Sequence, residues 1–155
     1  MILVVLAISL ILLIEGCAVY VWIRLIRWLD TYHRLKWKKN IHVRFFILGM
    51  VSVLPTLLLY EIFDPLFYSV YHANSNSYFI DLFIYNFLFN GPIEEFSKFI
   101  VFFWAAKRND TIKEPQDGLF QAGLVALGFA AVENIRYAIW YGLDVLFIRS
   151  VINIP

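Results

Sequence analysis

Long apolar stretches separated by short polar segments dominate the pattern of the chain. A membrane-spanning helix needs about 20 mostly apolar residues. Four stretches reach that length and a fifth begins without reaching it, at residues 2–23, 45–63, 78–106, 119–142 and 143–155. The pattern therefore predicts an all-α, polytopic transmembrane helical bundle that forms a single domain. Because the fifth stretch stops partway, we expect the chain to be the N-terminal part of a longer membrane protein.

Composition supports a membrane location and excludes several other classes. The chain is 61% hydrophobic and 16% charged, whereas soluble domains are about 45–50% apolar and about 25% charged. A net charge of +1 gives no basic surface of the kind that binds nucleic acid. The single cysteine, Cys17, excludes an internal disulfide. The partner that composition indicates is therefore the lipid bilayer.

The distribution of positive charge predicts an orientation. Segments 24–44 and 107–118 hold ten of the thirteen Lys and Arg residues, and the segment between the second and third apolar stretches has none. Loops rich in Lys and Arg stay in the cytoplasm. We therefore expect a multi-pass cell-membrane protein with the N-terminus outside and both basic segments cytoplasmic.

Charged residues inside the apolar stretches are the strongest functional signal. Glu94, Glu95 and Lys98 lie in the third stretch, and Glu133 precedes Asn134 in the fourth. A charge at the membrane centre costs about 2.5–3.5 kcal/mol even on the mildest scale, so such residues face protein or water and mark functional sites. The pattern indicates a carboxylate site between helices.

The third stretch carries a polar stripe and a break. At 100° per residue Asn86, Asn90, Glu94 and Ser97 share one helix face. Pro92 interrupts this helix, and predicts either a kink or a restart with the glutamates in the new first turn. Broken helices at membrane depth usually line a cavity.

The topology places Glu94 and Glu133 at similar depth, so they could lie within roughly 10 Å of each other in depth at about 1.5 Å of rise per residue. Close carboxylates repel, so a facing pair leaves an acid beside a base, which suits activation of a water molecule. Tyr137 follows Glu133 by four positions and can reach the same region. Simpler interpretations stay open: Glu94–Lys98 as a structural ion pair, and Glu133–Asn134 as an interhelical polar contact.

Other polar residues are interpreted as structural. Glu15 stands alone in the first stretch and is expected to be structural or cavity-lining. His33, His42 and His72 lie away from the carboxylates along the chain, so none is expected to be a ligand of the same site.

Two short motifs resemble those of the PrsW family of intramembrane proteases. The segment from Glu94 to Lys98 resembles the family's EExxK motif, and the segment from Phe129 to Asn134 resembles its FxxxEN motif. Asp117, Gly118, Gly128 and Tyr137 are placed as in relatives. The family is more distantly similar to the CAAX prenyl endopeptidases and bacteriocin-immunity proteins.

The resemblance implies cleavage of a membrane-protein substrate in a bacterial inner membrane, in the best-known case an anti-sigma factor. It implies catalytic roles for Glu94, Glu95 and Glu133 and supporting roles for Lys98 and Asn134, with Tyr137 beside them. The cofactor is either zinc, for which the three glutamates are candidate ligands, or none. The family also uses a later histidine, expected by spacing just after Pro155, so we expect the 155-residue chain alone to be inactive.

Two rival functions remain open at this stage. A pseudoprotease or membrane scaffold would bind a partner without cutting it. A proton-coupled carrier would use buried carboxylates as a relay, and inverted repeats, which are typical of carriers, are not evident in the sequence.

Overall fold

The structure is a computed structural model that describes residues 2–32, 39–71, 78–109 and 112–152. Over these ranges the chain is helical and contains no strand, which confirms the all-α prediction. The elements are α1 (Ile2–Tyr32), α2 (Lys39–Val51), α3 (Val53–Tyr71), α4 (Tyr78–Tyr85), a π-helical turn (Asn86–Asn90), α5 (Gly91–Asn109), α6 (Pro115–Tyr141) and α7 (Leu143–Ile152).

Three stretches of the described chain are long and apolar enough to cross a membrane: Val5–Ile26, Ile41–Ser69 and Pro115–Tyr141. The first, second and fourth predicted spans correspond to them. The third predicted span is instead divided between α4, the π turn and α5. The start of a fifth span corresponds to α7.

The break in the third predicted span takes the form of a wider helical turn. Pro92 has no backbone N–H, and its ring would clash with the carbonyl four residues earlier in a regular α-helix. The chain accommodates it with the π turn, in which the Gly91 N–H donates to the Asn86 carbonyl. The helix thus continues through Gly91 with helical dihedral angles. The sequence predicted an interruption here, and the structure adds its geometry.

Helix α6 lies at the centre of the bundle and contacts α1, α2, α3, α5 and α7. Its approach to α2 is very close, because a Cβ on Gly128 would lie 2.0 Å from the Phe46 carbonyl oxygen and one on Gly49 would lie 2.0 Å from that of Val125. Small residues allow such backbone contact between membrane helices. This contact fixes α6, which carries Glu133, against α2.

Two apolar clusters and one cap complete the packing around α6. Buried Phe45, Ala105, Leu124 and Val125 join α2, α5 and α6, and a second cluster joins α1, α6 and α7 through Ile11, Ala138 and Leu146. The start of α6 has Pro115 in its first turn and a capping box between Glu114 and Asp117. Many apolar side chains on the outer faces, such as those on α1, remain exposed, as lipid contact requires.

Candidate active site

A small cavity lies where α3, α5 and α6 meet. Its polar lining consists of Tyr60, Thr56, Glu94, Glu133 and Arg136, and its apolar walls come from Val53, Leu57, Phe129 and Val132. The cavity has a volume of about 10 Å³ for water, which is about the space that one water molecule needs. The structure thus brings together one glutamate from each of the two sequence motifs.

Both carboxyl groups line this one cavity. They reach the cavity from different helices, Glu94 from the first turn of α5 and Glu133 from the C-terminal half of α6. Their side chains are 16% and 13% exposed. The matched depth and shared face predicted from the sequence therefore agree with the geometry for this pair.

The Glu94 side of the cavity is held mainly by neutral groups. The Tyr60 hydroxyl faces two acceptors, Glu94 Oε1 at 3.0 Å and Asn90 Oδ1, and has one hydrogen to share between them. Asn90 in turn donates to Asn86 Oδ1 at 3.2 Å. The nearest cation, Lys98 Nζ, is 3.9 Å from Glu94 Oε2. The π turn therefore supplies the amides that support the hydroxyl facing Glu94.

The Glu133 side of the cavity is held by cations. Arg149 Nη2 of α7 donates to Glu133 Oε2 at 2.7 Å, and Arg136 Nη2 lies 3.8 Å from Oε1. The Arg149 guanidinium also lies 4.0 Å from the centre of the Tyr137 ring. Glu133 is thus a carboxylate with a close charged partner, and Tyr137 packs against that partner.

Glu95 lies outside the cavity, which corrects the expectation that it shares one carboxylate site with Glu94 and Glu133. Its side chain is 74% exposed and accepts a hydrogen bond from Lys98 Nζ at 2.7 Å. Both residues line a separate groove between α5 and α6, together with Phe99, Leu119, Ala122 and Ala126. Lys98 also lies 4.3 Å from the centre of the Phe129 ring. The structure therefore separates the two adjacent glutamates, and Lys98 lies between them.

Asn134 connects Arg149, the closest partner of Glu133, to Glu15 on α1. Its Nδ2 donates to the two Glu15 carboxylate oxygens at 3.4 and 3.3 Å, and its Oδ1 accepts from Arg149 Nε at 3.0 Å. Glu15 is 4% exposed. The amide is therefore placed to hold Arg149.

Sequence reasoning did not assign five polar residues of this arrangement to the site: Thr56, Tyr60, Arg136, Arg149 and Glu15. Arg136, Arg149 and Glu15 are charges within apolar stretches, the signal that identified Glu94, and that signal could have found them. Tyr60 gives no comparable signal, because a tyrosine in an apolar helix is unremarkable in sequence. Of the histidines, His42 lies on α2 and does not line the cavity; His33 and His72 lie outside the described residues.

The structure defines a helical membrane bundle in which one glutamate from each of two sequence motifs lines the same cavity. The sequence pattern of the PrsW family intramembrane metalloproteases matches residues 38–155, and the chain belongs to that family. It is a membrane protein, as its long apolar helices indicate.

Individual relatives agree with the family assignment. The chain is 34% identical to Protease PrsW of Oceanobacillus iheyensis over 109 residues, 70% of this chain and 46% of that protein. It is 31% identical to Protease PrsW of Shouchella clausii over 134 residues, 86% of this chain and 54% of that protein. It is 28% identical to the Bacillus subtilis protein of that name over 112 residues, 72% of this chain and 47% of that protein. The chain thus spans about half the length of these curated relatives. No solved structure matches it.

Membership of a metalloprotease family implies a metal. Catalytic zinc takes three protein ligands from His, Glu, Asp or Cys. Within the part of the chain that the structure describes, no group of three such side chains is placed to hold a metal ion. Glu94 and Glu133 offer two carboxylates, and Glu133 is already bound by Arg149. The described residues therefore do not form a zinc site by themselves.

Proposed function

We propose that the chain carries the catalytic carboxylates of an intramembrane peptidase that uses a glutamate-activated water to cleave a membrane-protein substrate. The observation that carries the proposal is the shared cavity, which Glu94 and Glu133 both line and which has room for about one water. Family membership supplies the reaction class, since the relatives are named as proteases.

The unequal surroundings of the two carboxylates assign their roles. Glu133 has a cation 2.7 Å from one oxygen and a second cation 3.8 Å from the other, so both of its oxygens already face charged groups. Glu94 accepts a bond from a neutral hydroxyl, and its other oxygen has only a lysine at 3.9 Å. Glu94 is therefore the general base, and Glu133 orients the water.

The proposed reaction assigns a step to each charged group at the cavity. Glu94 takes a proton from water while the water oxygen bonds to the carbonyl carbon of the substrate. The resulting tetrahedral intermediate then collapses, the carbon–nitrogen bond breaks, and the protonated Glu94 returns its proton to the leaving amine. Arg136 lines the cavity and is 41% exposed, so it is the residue placed to stabilise charge on the former carbonyl oxygen.

Glu95 and Lys98 support Glu94 from the neighbouring groove. At 2.7 Å Glu95 is the closer carboxylate partner of Lys98, and Glu94 is the more distant one. As long as Glu95 holds the ammonium group, Glu94 remains available as a base. This gives the second glutamate of the motif a role from outside the cavity.

The substrate is proposed from family membership alone: a membrane protein of the anti-sigma-factor type. The orientation, with the N-terminus outside and segments 24–44 and 107–118 cytoplasmic, is likewise proposed, from the distribution of Lys and Arg.

A cleavage assay in proteoliposomes tests the proposal. A tagged anti-sigma factor with a single span is incubated with the chain, and with a chimera in which the remaining part of the Oceanobacillus iheyensis relative follows Pro155. We expect the chimera to cleave the substrate, and Glu94→Gln and Glu133→Gln to stop cleavage without changing insertion. Glu61→Gln serves as the matched control, since Glu61 lies one position from Tyr60 and does not line the cavity. Full cleavage by both glutamine variants would contradict the carboxylate mechanism and favour a scaffold.

A further inference from the structure

The first helix carries one buried carboxylate that no motif accounts for. The family pattern matches residues 38–155 and leaves α1 outside, yet Glu15 of α1 is 4% exposed. A buried charge inside an apolar helix is costly unless it is paired or hydrogen-bonded. Its contact with Asn134 of the second motif indicates what it does.

The asparagine between Glu15 and Arg149 has two unlike ends. Its NH₂ group donates to both Glu15 oxygens, and its carbonyl oxygen accepts from Arg149 Nε at 3.0 Å. Rotating the amide by half a turn would aim the NH₂ group at the guanidinium, which has donors only. A carboxylate at position 15 therefore selects the orientation in which the amide can hold the arginine.

Arg149 links the orientation of Asn134 to the position of Glu133 in the cavity wall. Arg149 contacts Asn134 through Nε and Glu133 through Nη2, and its guanidinium lies over the Tyr137 ring. A planar guanidinium held at two edges and one face has little freedom to turn. The position of Glu133 Oε2 is thus set by a series of contacts that begins on α1.

Apolar packing holds α1 where this contact needs it. Ile11 of α1 packs with Ala138 of α6 and Leu146 of α7, about one helical turn from Glu15 and from Asn134. The carboxylate and the apolar cluster therefore lie on the same interface between α1, α6 and α7.

We propose that Glu15 is a positioning residue of the active site: it orients Asn134, which holds Arg149, which fixes Glu133 in the wall of the cavity. The inference rests on the proposed function in assigning Glu133 a catalytic role, but the contacts themselves can be tested without cleavage. It makes α1 part of the site, although α1 lies outside the family match.

The test measures how far Glu133 is protected from a hydrophobic carbodiimide, a reagent that modifies carboxyl groups lacking a charged partner. The 155-residue chain is placed in liposomes and treated with dicyclohexylcarbodiimide, and modification at positions 133 and 94 is quantified by mass spectrometry of the peptides. We expect slow modification of Glu133 in the unaltered chain. Arg149→Gln should raise the rate about tenfold, the loss expected for one hydrogen bond to a charged group.

The Glu15 variants distinguish a hydrogen-bonding role from a bulk structural one. Glu15→Leu removes the acceptor and should approach the effect of Arg149→Gln. Glu15→Gln keeps a carbonyl that can accept from Asn134 and should retain protection to within about twofold. Cys17→Ala is the matched control, because Cys17 is exposed on the same helix and its replacement should change nothing. Glu94 modification reports on general unfolding, which would alter both positions together.

Each other outcome overturns a defined part of the inference. If Arg149→Gln exposes Glu133 but neither Glu15 variant does, Glu15 has no positioning role and the proposed function is unaffected. If Glu15→Leu and Glu15→Gln expose Glu133 equally, the hydrogen-bonded relay through Asn134 is wrong. Should Glu15→Leu fail to insert, Glu15→Asp gives the same test by withdrawing the carboxylate from Asn134; unchanged protection there contradicts the inference. Failure of the proposed function is read separately, in the cleavage assay.

Discussion

The two sides of the cavity carry the same functional group in opposite surroundings. On the α5 side, Glu94 faces the Tyr60 hydroxyl and, at 3.9 Å, Lys98. On the α6 side, Glu133 is held by Arg149 at 2.7 Å with Arg136 nearby. Two carboxylates that differ in this way can take different roles, one exchanging a proton and the other staying ionised. The difference comes from helices far apart in sequence, because α3 supplies the hydroxyl and α7 supplies the arginine.

The largest effects are expected where either carboxylate is lost. Both Gln variants keep side-chain size and polarity, but Glu94→Gln cannot accept the water proton and Glu133→Gln loses the charge that pairs with Arg149, so cleavage should fall about 10²- to 10⁴-fold. Initial rates in the chimera assay measure this. Glu94→Asp should also lose most activity, because its shorter side chain would not bring the general base to the water. A fully active Glu94→Asp variant would weaken the assignment of Glu94 as the base.

Removing the cation on the Glu133 side should have the next largest effect. Arg149→Met deletes the closest partner of Glu133 and should slow cleavage about 10- to 100-fold, in line with about 1.5–3 kcal/mol for a hydrogen bond to a charged group. Arg149→Lys should recover part of the loss, since an ammonium group restores charge but not the two-edged contact. Equal rates for the Met variant and the unaltered chimera would show that the ion pair does not matter for catalysis.

A smaller and more diagnostic effect is expected at the second glutamate of the first motif. Glu95→Gln releases Lys98 to pair with Glu94, which would make Glu94 a weaker base and slow cleavage about tenfold. Adding Lys98→Met to Glu95→Gln should then restore part of the rate. A double variant slower than Glu95→Gln alone would mean that Glu95 does not act through Lys98.

The smallest effect is expected from the neutral partner of Glu94. Tyr60→Phe removes one hydrogen bond and should slow cleavage about five- to tenfold, corresponding to about 1–1.5 kcal/mol. Tyr85→Phe is the matched control: the Tyr85 hydroxyl hydrogen bonds to Asp64 at 2.8 Å and does not line the cavity. Equal losses in both variants would indicate a general packing defect rather than a role beside Glu94.

Much of the fold could be predicted because the apolar runs that form membrane helices are local features of the sequence. Runs of apolar residues predicted the helices, and Pro92 predicted the interruption of the third stretch. The polar stripe placed Glu94 on the face that lines the cavity, whereas Glu95, which was expected in the same carboxylate site, lies outside it and is 74% exposed. Local periodicity therefore carries information on which side of a helix a residue lies.

The rest depends on which helices become neighbours, which periodicity does not contain. Glu15 and Asn134 are 119 positions apart, and Arg149 lies in a stretch too short to be predicted as a full span. The packing of α6 against α1 and α7 decides the contacts of Glu15 and Arg149 with Asn134.

The form of the break at Pro92 was also open, since the sequence allowed either a kink or a restart of the helix, and the structure shows a π turn.

The central claim is that Glu94, and not its neighbour Glu95, faces Glu133 across one small cavity. Cross-linking of cysteine pairs tests it most directly, in a Cys17→Ala background, which removes the single native cysteine. Chains with Glu94→Cys and Glu133→Cys, or with Glu95→Cys and Glu133→Cys, are treated in liposomes with a short thiol-specific bifunctional reagent, and linked peptides are quantified by mass spectrometry. The account predicts efficient linkage of positions 94 and 133 and little linkage of positions 95 and 133. Equal yields, or linkage of only the second pair, would contradict it.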